Sequence, residues 1–422
     1  MIESVKHLVE QNAFWLITIV KIILLLFIVL TVNAYLTWFE RKAVAHIQSR
    51  WGPHRVGPHG LLQPAADGLK FLFKEDPTPN GVDRFVYYLA PLLALALSLT
   101  ALAVIPFGPD PLPFKILGQD VYLWITKSDI GLLILFSITA LSVYGIALAG
   151  WASNSKYSLL GGLRSSAQMI SYELALTMSV VGVLLMANTF SLQEIIAKQA
   201  NAKWGIGILG WNIFSWTHQG LMWPQIVGFI CFFTSAIAET NRAPFDLPEA
   251  ESELVAGFHT EYASFKFAMF FIAEYTAMIT VSCLATILFF GGWLSPFPEN
   301  FLPAITHHLP SITLIPFGLW VIYDGIKYET IFGKLILPAV GFAMFAIGGA
   351  LVALPGVNEF IQPIFWFTAK IFIFLFFYVW ARGTLPRLRY DQLMNVGWKL
   401  LLPVSIANVI VTAAWILARS HS

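Results

Sequence analysis

Long apolar runs separated by short polar stretches fill the chain from end to end. A helix that crosses a membrane needs roughly 20 mostly apolar residues. Runs of that order lie near 14–37, 85–106, 130–150, 167–188, 222–239, 266–290, 335–355, 364–381 and 400–418, with a shorter apolar piece near 309–323. The alternating pattern of a membrane barrel is absent. Lipid offers no partner to an open backbone N–H or C=O, so helix is the expected state of every run. The pattern predicts an all-α membrane protein, a multispanning helical bundle of about ten spans forming a single membrane domain over 1–422.

Segment 38–84 is too polar to cross. Within it Leu62, Ala65, Leu69, Leu72 and Phe73 recur at helical spacing, while Gln63, Asp67, Lys70 and Lys74 take the other side. That periodicity predicts an amphipathic helix lying in the interface. Its role is either a plain surface anchor or the rim of a site that admits a lipid-soluble ligand.

Composition agrees with the pattern. Hydrophobic residues make up 57% of the 422 and charged ones 12%, about half the charge of a soluble domain. A formal net charge of +1 gives no pull toward nucleic acid. Cys231 and Cys283 sit inside apolar runs without zinc or iron–sulfur spacing and are expected to be small buried hydrophobes. The first apolar run is long and no cleavage site follows it, so it is expected to remain as a span.

The placement of Lys and Arg orients the bundle. With the N-terminus outside, the inward segments hold Arg41, Lys42, Arg50, Arg55, Lys70, Lys74, Arg84, Lys156, Arg164, Arg242, Lys327, Lys334, Arg382, Arg387, Arg389 and Lys399, the majority of the 25. The positive-inside rule then puts the N-terminus outside. Arg242 and Lys399 must both stay inside, so the number of crossings over 290–364 must be even. The pieces 309–323 and 335–355 therefore read as a hairpin of two crossings within an additional region, 293–360.

Chemistry concentrates in two places. Segment 239–261 holds Glu239, Asp246, Glu249, Glu251, Glu253 and Glu261 against one base, Arg242, out of 24 acids in the chain. Asp246-Leu-Pro-Glu249 fits a capping box, which accounts for Asp246 and Glu249 and in part for Glu251. It leaves Glu239, Glu253 and Glu261 unexplained. Clustered carboxylates repel and hold protons nearer neutral pH, which suits a proton relay; a solvated loop is the plainer alternative. Two further acids, Glu173 and Glu274, fall within predicted spans, where an ionisable side chain is costly and functional by default. The adjoining Tyr172 and Tyr275 could donate to them. No redox centre, nucleotide loop or nucleophile triad is visible.

At these residues the chain resembles the H-subunit (mitochondrial subunit 1) family of NADH:quinone oxidoreductase, respiratory complex I. Trp38-Phe-Glu-Arg-Lys42 is similar to the family's motif after the first span. Gly52-Pro-His-Arg-Val-Gly-Pro-His-Gly-Leu-Leu-Gln-Pro64, with Asp67 and Lys70, is similar to its interfacial helix. Gly161-Gly-Leu-Arg-Ser-Ser-Ala-Gln-Met-Ile-Ser-Tyr-Glu173 is similar to its fourth span. The stretches 238–262 and Arg382-Gly-Thr-Leu-Pro-Arg-Leu-Arg-Tyr-Asp-Gln392 complete the set. The match runs in order over most of the chain.

The resemblance implies a membrane subunit that walls part of the quinone chamber and begins the proton path of a translocase, with no redox centre or cofactor bound by this chain alone. Quinone would be the substrate, and iron–sulfur clusters would lie in partner subunits. The implied partners are the hydrophilic-arm quinone-site subunits, small membrane subunits and lipid; the implied location is the cell inner membrane. By motif, Glu173, Glu239, Glu249, Glu251, Glu253, Glu261 and Glu274 match the acidic proton path. Arg41, Asp67, Arg242 and Asp246 match chamber or entrance positions, and Phe270 and Phe271 match aromatic positions near the quinone tunnel. His54 stands where the family usually has Asn. Region 293–360 has no counterpart in short members with eight spans. Rival readings are the equivalent subunit of a membrane-bound hydrogenase, a stand-alone cation/proton antiporter and a purely structural anchor. An antiporter would show internal repeats or paired broken spans, which this sequence lacks; an anchor leaves the acids within spans unexplained.

Overall fold

The computed structural model describes residues 13–109, 111, 115, 120–200, 207–217, 220–246, 255–297, 308–328 and 330–420. The chain folds as helix α1 (Ala13–Ile47), α2 (Gln63–Phe73), α3 (Arg84–Ala101), α4 (Gly131–Ala152), α5 (Lys156–Ala187), α6 (Leu192–Gln199) and α7 (Ile226–Glu239). Then come α8 (Ser264–Phe289), α9 (Leu309–Lys327), α10 (Ile331–Ala353), α11 (Pro355–Thr384) and α12 (Tyr390–Ser420), the last continuous through a π-helical turn at Val396–Leu401. Among the described residues, nine helices are long and apolar enough to cross a membrane, and α7 is a shorter apolar helix. Extended backbone among them is limited to an antiparallel pair, Trp216–Thr217 with Gly220–Leu221, and a single bridge between Pro111 and Tyr122. The chain is a multi-pass, all-α membrane protein.

Several boundaries differ from the pattern-based ones for physical reasons. Helix α1 has 35 residues, which at the α-helical rise is about 52 Å, well beyond the bilayer's hydrocarbon. Its last turns, residues 38–47, therefore project past the apolar run and belong to the helix, not to the polar segment that follows. The run expected at 222–239 is helical only from Ile226, giving α7 14 residues. Gly228, Cys231, Phe232 and Ser235 through Ala238 are buried against neighbours, and irregular backbone at its ends is tolerated where protein rather than lipid surrounds it. Helix α11 starts at Pro355, so the end of region 293–360 belongs to the next span.

Helix α8 is the central post: 78% of its most apolar stretch is buried, against α1, α3 and α11 among others. Small residues let the helices approach closely, as membrane packing favours. A Cβ on Gly145 would meet Ala94 of α3 at 2.9 Å, and one on Gly150 would meet the Ser158 carbonyl at 2.7 Å. Helices α9 and α10 pack on each other as a hairpin, Gly318 against Gly341. The amphipathic α2 has no fully buried residue; it is held at its end by Ser264, whose hydroxyl donates to the Phe71 and Lys74 carbonyls. Cys231 and Cys283 are buried and unpaired.

Candidate functional site

The described parts of the connections 48–83, 240–263 and 385–389 gather at one end of the bundle, and a buried charge cluster ties them to the spans. Glu40, in the projecting turns of α1, is 5% exposed. Its carboxylate accepts from Tyr275 Oη of α8 at 2.5 Å, lies 3.4 Å from Arg242 Nη1 and pairs with Arg382 Nη1 of α11. Arg242, equally buried, reaches Glu274 Oε1 from its Nε at 2.7 Å and lays its guanidinium 4.3 Å from the Tyr275 ring centroid. Two carboxylates thus face two guanidiniums, the balance a buried cluster requires. Burial works against the charge on Arg242, but the Glu274 and Glu40 carboxylates outweigh it and raise its pKa further above the ordinary arginine range.

The turn carrying Arg242 is clamped from α5. Gln168 Nε2 donates to the carbonyls of Ala238 and Phe245, each at 2.8 Å. Asp246 follows, with Oδ2 3.1 Å from Arg387 Nη2, and Leu388 N–H donates to the Pro244 carbonyl. The short helical turn Gly257–His259 then tucks against α5. A Cβ on Gly161 would stand 2.5 Å from the Gly257 Cα, and Ser158 Oγ donates to the Phe258 carbonyl at 2.9 Å. Gly161 of the motif permits this approach, while Gly162 faces α4, where a Cβ would stand 3.1 Å from the Gly150 Cα.

Behind the cluster lies a cavity of about 80 Å³ whose walls include Glu239, Asp246, His259, Phe270, Phe271 and Glu274. A second, of about 50 Å³, runs deeper and includes Glu239, Thr139, Thr240 and Thr280. The two share Ser98, Ser142, Met169, Glu239, Thr240 and Ala277, so Glu239 stands at their junction. Each has room for a few waters. Glu173 on α5 is close enough for its charge to act on Glu239. Burial pushes the pKa of His259 down to about 4, with Asp246 opposing, so its imidazole faces this cavity neutral.

The expected site residues fall into separate groups. Glu239, Asp246, Glu274, Phe270, Phe271 and Arg242 come together around the first cavity and the charge cluster. Arg41 and Asp67 form their own pair at 2.6 Å on the outer face, between α1 and α2, with Lys70 at 3.5 Å. Burial raises the Asp67 carboxyl, but the Arg41 hydrogen bond and charge outweigh it and hold the pKa below the usual carboxylate value. Glu261 sits apart, its carbonyl accepting from Tyr87 Oη at 2.6 Å. Glu249, Glu251 and Glu253 lie outside the described residues, as does most of the stretch expected to form a capping box; of that stretch, Asp246 is described and pairs with Arg387.

Two expected donors point elsewhere. Tyr172 donates to the Leu393 carbonyl of α12 at 2.8 Å, not to Glu173, and Tyr275 donates to Glu40, not to Glu274. Adjacent residues on a helix do not face each other. Sequence reasoning also passed over Glu40, Arg382, Arg387 and His259. All four stood inside the motif stretches; the signal for Glu40 was an acid directly after an apolar run whose helix has no stop residue before Ile47.

Comparison with known proteins adds the lineage. Residues 20–413 match the family model described as NADH dehydrogenase. The chain is 49% identical to the first NADH-quinone oxidoreductase H subunit of Solibacter usitatus (strain Ellin6076), over 96% of this chain and 98% of the relative. It is 48% identical to the second NADH-quinone oxidoreductase H subunit of Koribacter versatilis (strain Ellin345), with the same coverage.

Proposed function

The chain belongs to the H-subunit family of NADH-quinone oxidoreductase, as a membrane subunit of that enzyme complex, and on that premise we propose that its loop-rich end walls part of the quinone site and that protons pass from there into the membrane through Glu239. The observation that supports this reading is that two neighbouring cavities share Glu239 in their walls, one lined also by Asp246, His259 and Glu274, the other by Thr139 and Thr280.

The chemistry is electrostatic. A quinone takes up electrons and protons together on becoming a quinol, and an iron–sulfur cluster in a hydrophilic-arm partner supplies the electrons. The change of charge beside the loops bears on Asp246, Glu274 and the acids Glu249, Glu251 and Glu253 of the same connection. The Arg242 guanidinium, charged throughout, couples Glu274 to Glu40, so a proton gained or lost at one carboxylate alters the field at the others. Glu173 and Glu239 hand that change inward. Arg41 and Asp67 belong to the outer rim of the site, Phe270 and Phe271 to its apolar lining, and Glu261 to the acidic connection. The bundle sits in the cell inner membrane with its N-terminus outside and the loop-rich end facing the hydrophilic arm.

The test is Glu239→Gln in the intact complex, reconstituted in vesicles, with Glu173→Gln alongside. Glu239→Gln is expected to assemble and to lose most proton pumping, about tenfold or more, a conservative scale for removing a positioned acid–base group. Pumping and quinone reduction at parental levels in both variants would overturn the reading.

A further inference from the structure

The hairpin α9–α10 reaches the loop 52–60 with one specific contact set. His59 lies in the left-handed region, φ 51 and ψ 19, between Gly57 at φ 73 and Gly60 at φ 78. That conformation is unfavourable for a residue with a Cβ and persists only where the surroundings over-determine it. Helix α1 holds the His59 carbonyl, which accepts from Lys42 Nζ at 2.9 Å and Trp38 Nε1 at 3.3 Å. The hairpin holds the rest. The His59 N–H donates to Tyr328 Oη at 3.0 Å, and its Nε2 lies 2.7 Å from Asp324 Oδ2. The Tyr328 ring meets the imidazole edge to face, centroids 5.2 Å apart.

Asp324 and Tyr328 are one helical turn apart, so they present to one face. Tyr328 is itself backed by Gly333 at the start of α10, where a Cβ would fall 2.2 Å from the ring. The His59–Asp324 pair is partly exposed, 37% and 32%, and such a pair adds little to stability. Its effect is on geometry: it fixes the ring of a residue whose backbone is already pinned from the other side. The loop so held lines a groove of about 590 Å³ with Trp51, Gly52, Pro53, His54, Arg55 and Gln63, within the size range of small-ligand sites.

We infer that the α9–α10 hairpin is a positioning strut, Asp324 and Tyr328 holding His59, and through it loop 52–60, in the shape the quinone end requires. The functional half rests on the proposed quinone site; the mechanical half does not. The experiment is the double variant Asp324→Asn/Tyr328→Phe in the assembled complex purified in detergent. Hydrogen exchange over residues 51–62 is read beside KM and kcat for a short-chain ubiquinone analogue. Exchange is expected to rise about tenfold there and not at the opposite end over 120–130. KM is expected to rise about threefold with kcat near the parental value, as lost positioning predicts. Asp324→Glu, which keeps the charge, is expected to retain both parental values; should the double variant fail to assemble, Tyr328→Phe alone carries the same readouts. Unchanged exchange over 51–62 overturns the strut. Faster exchange with an unchanged KM overturns its link to the quinone, and that outcome is separable from failure of the proton path, which Glu239→Gln reads.

Discussion

Glu40→Gln removes one charge from a cluster in which Glu40 and Glu274 balance Arg242 and Arg382. Gln keeps the volume and can still accept from Tyr275 Oη. What it leaves is two guanidiniums facing one carboxylate. The Glu40 and Arg242 side chains are each 6% exposed, and unbalancing a buried pair by removing one partner costs about 3–5 kcal/mol. Arg382 is 39% exposed, so its loss alone is screened and should cost only about 1 kcal/mol. The two substitutions are therefore predicted to couple with a change of sign. Arg382→Gln weakens the parent slightly but strengthens the Glu40→Gln protein, because it removes a positive charge that no longer has a partner. The assay is thermal inactivation of the assembled complex, followed by quinone reduction and native gels, for parent, both singles and the double. Glu40→Gln is expected to lower the midpoint by a few degrees, on the scale that about 3 kcal/mol implies for a chain of this size, and the double to recover part of it. A double variant less stable than Glu40→Gln, or a Glu40→Gln as stable as the parent, would refute the charge-balance argument.

Three further outcomes follow from other parts of the site. The folded pKa of His259, about 4, lies below the ordinary 6.5, so its contribution to stability is complete above pH 6.5 and is lost as pH falls through about 4; His259→Gln should flatten the heat-stability profile across that window, and an unchanged profile would contradict it. Gly161→Ala forces a Cβ to within 2.5 Å of the Gly257 Cα and should cost about 1–3 kcal/mol, read as reduced assembly at raised temperature; a fully stable variant would show that the 257–259 turn yields freely. Asp67→Asn breaks the outer pair with Arg41, whose side chain is 54% exposed, so the loss should stay below about 1 kcal/mol and fade in high salt; a larger loss that survives salt would mean the pair is buried in the assembled complex.

The run lengths of apolar residues determined by themselves that this chain lives in lipid, roughly how many helices it builds there and which connections share an end. Preference for lipid is additive over neighbouring residues and needs no knowledge of partners; for the weak piece at 309–323, the parity set by Arg242 and Lys399 supplied what its short apolar run did not. Of the motif residues, Glu239, Asp246 and Glu274 share the walls of one cavity and Arg242 pairs with Glu274. Which of them touch was not legible. Glu40 meets Arg242 across 202 positions and Arg382 across 342, and no local pattern carries such pairs. Glu40 was counted into a polar segment because hydropathy marks where lipid ends, whereas the helix runs on to Ile47 by its own hydrogen bonds. Tyr172 and Tyr275 turned away from the acids beside them because consecutive helical side chains diverge. The contact between the α9–α10 hairpin and His59 exists only because the bundle carries both to one end; sequence supplied the residues, and packing decided that they face each other.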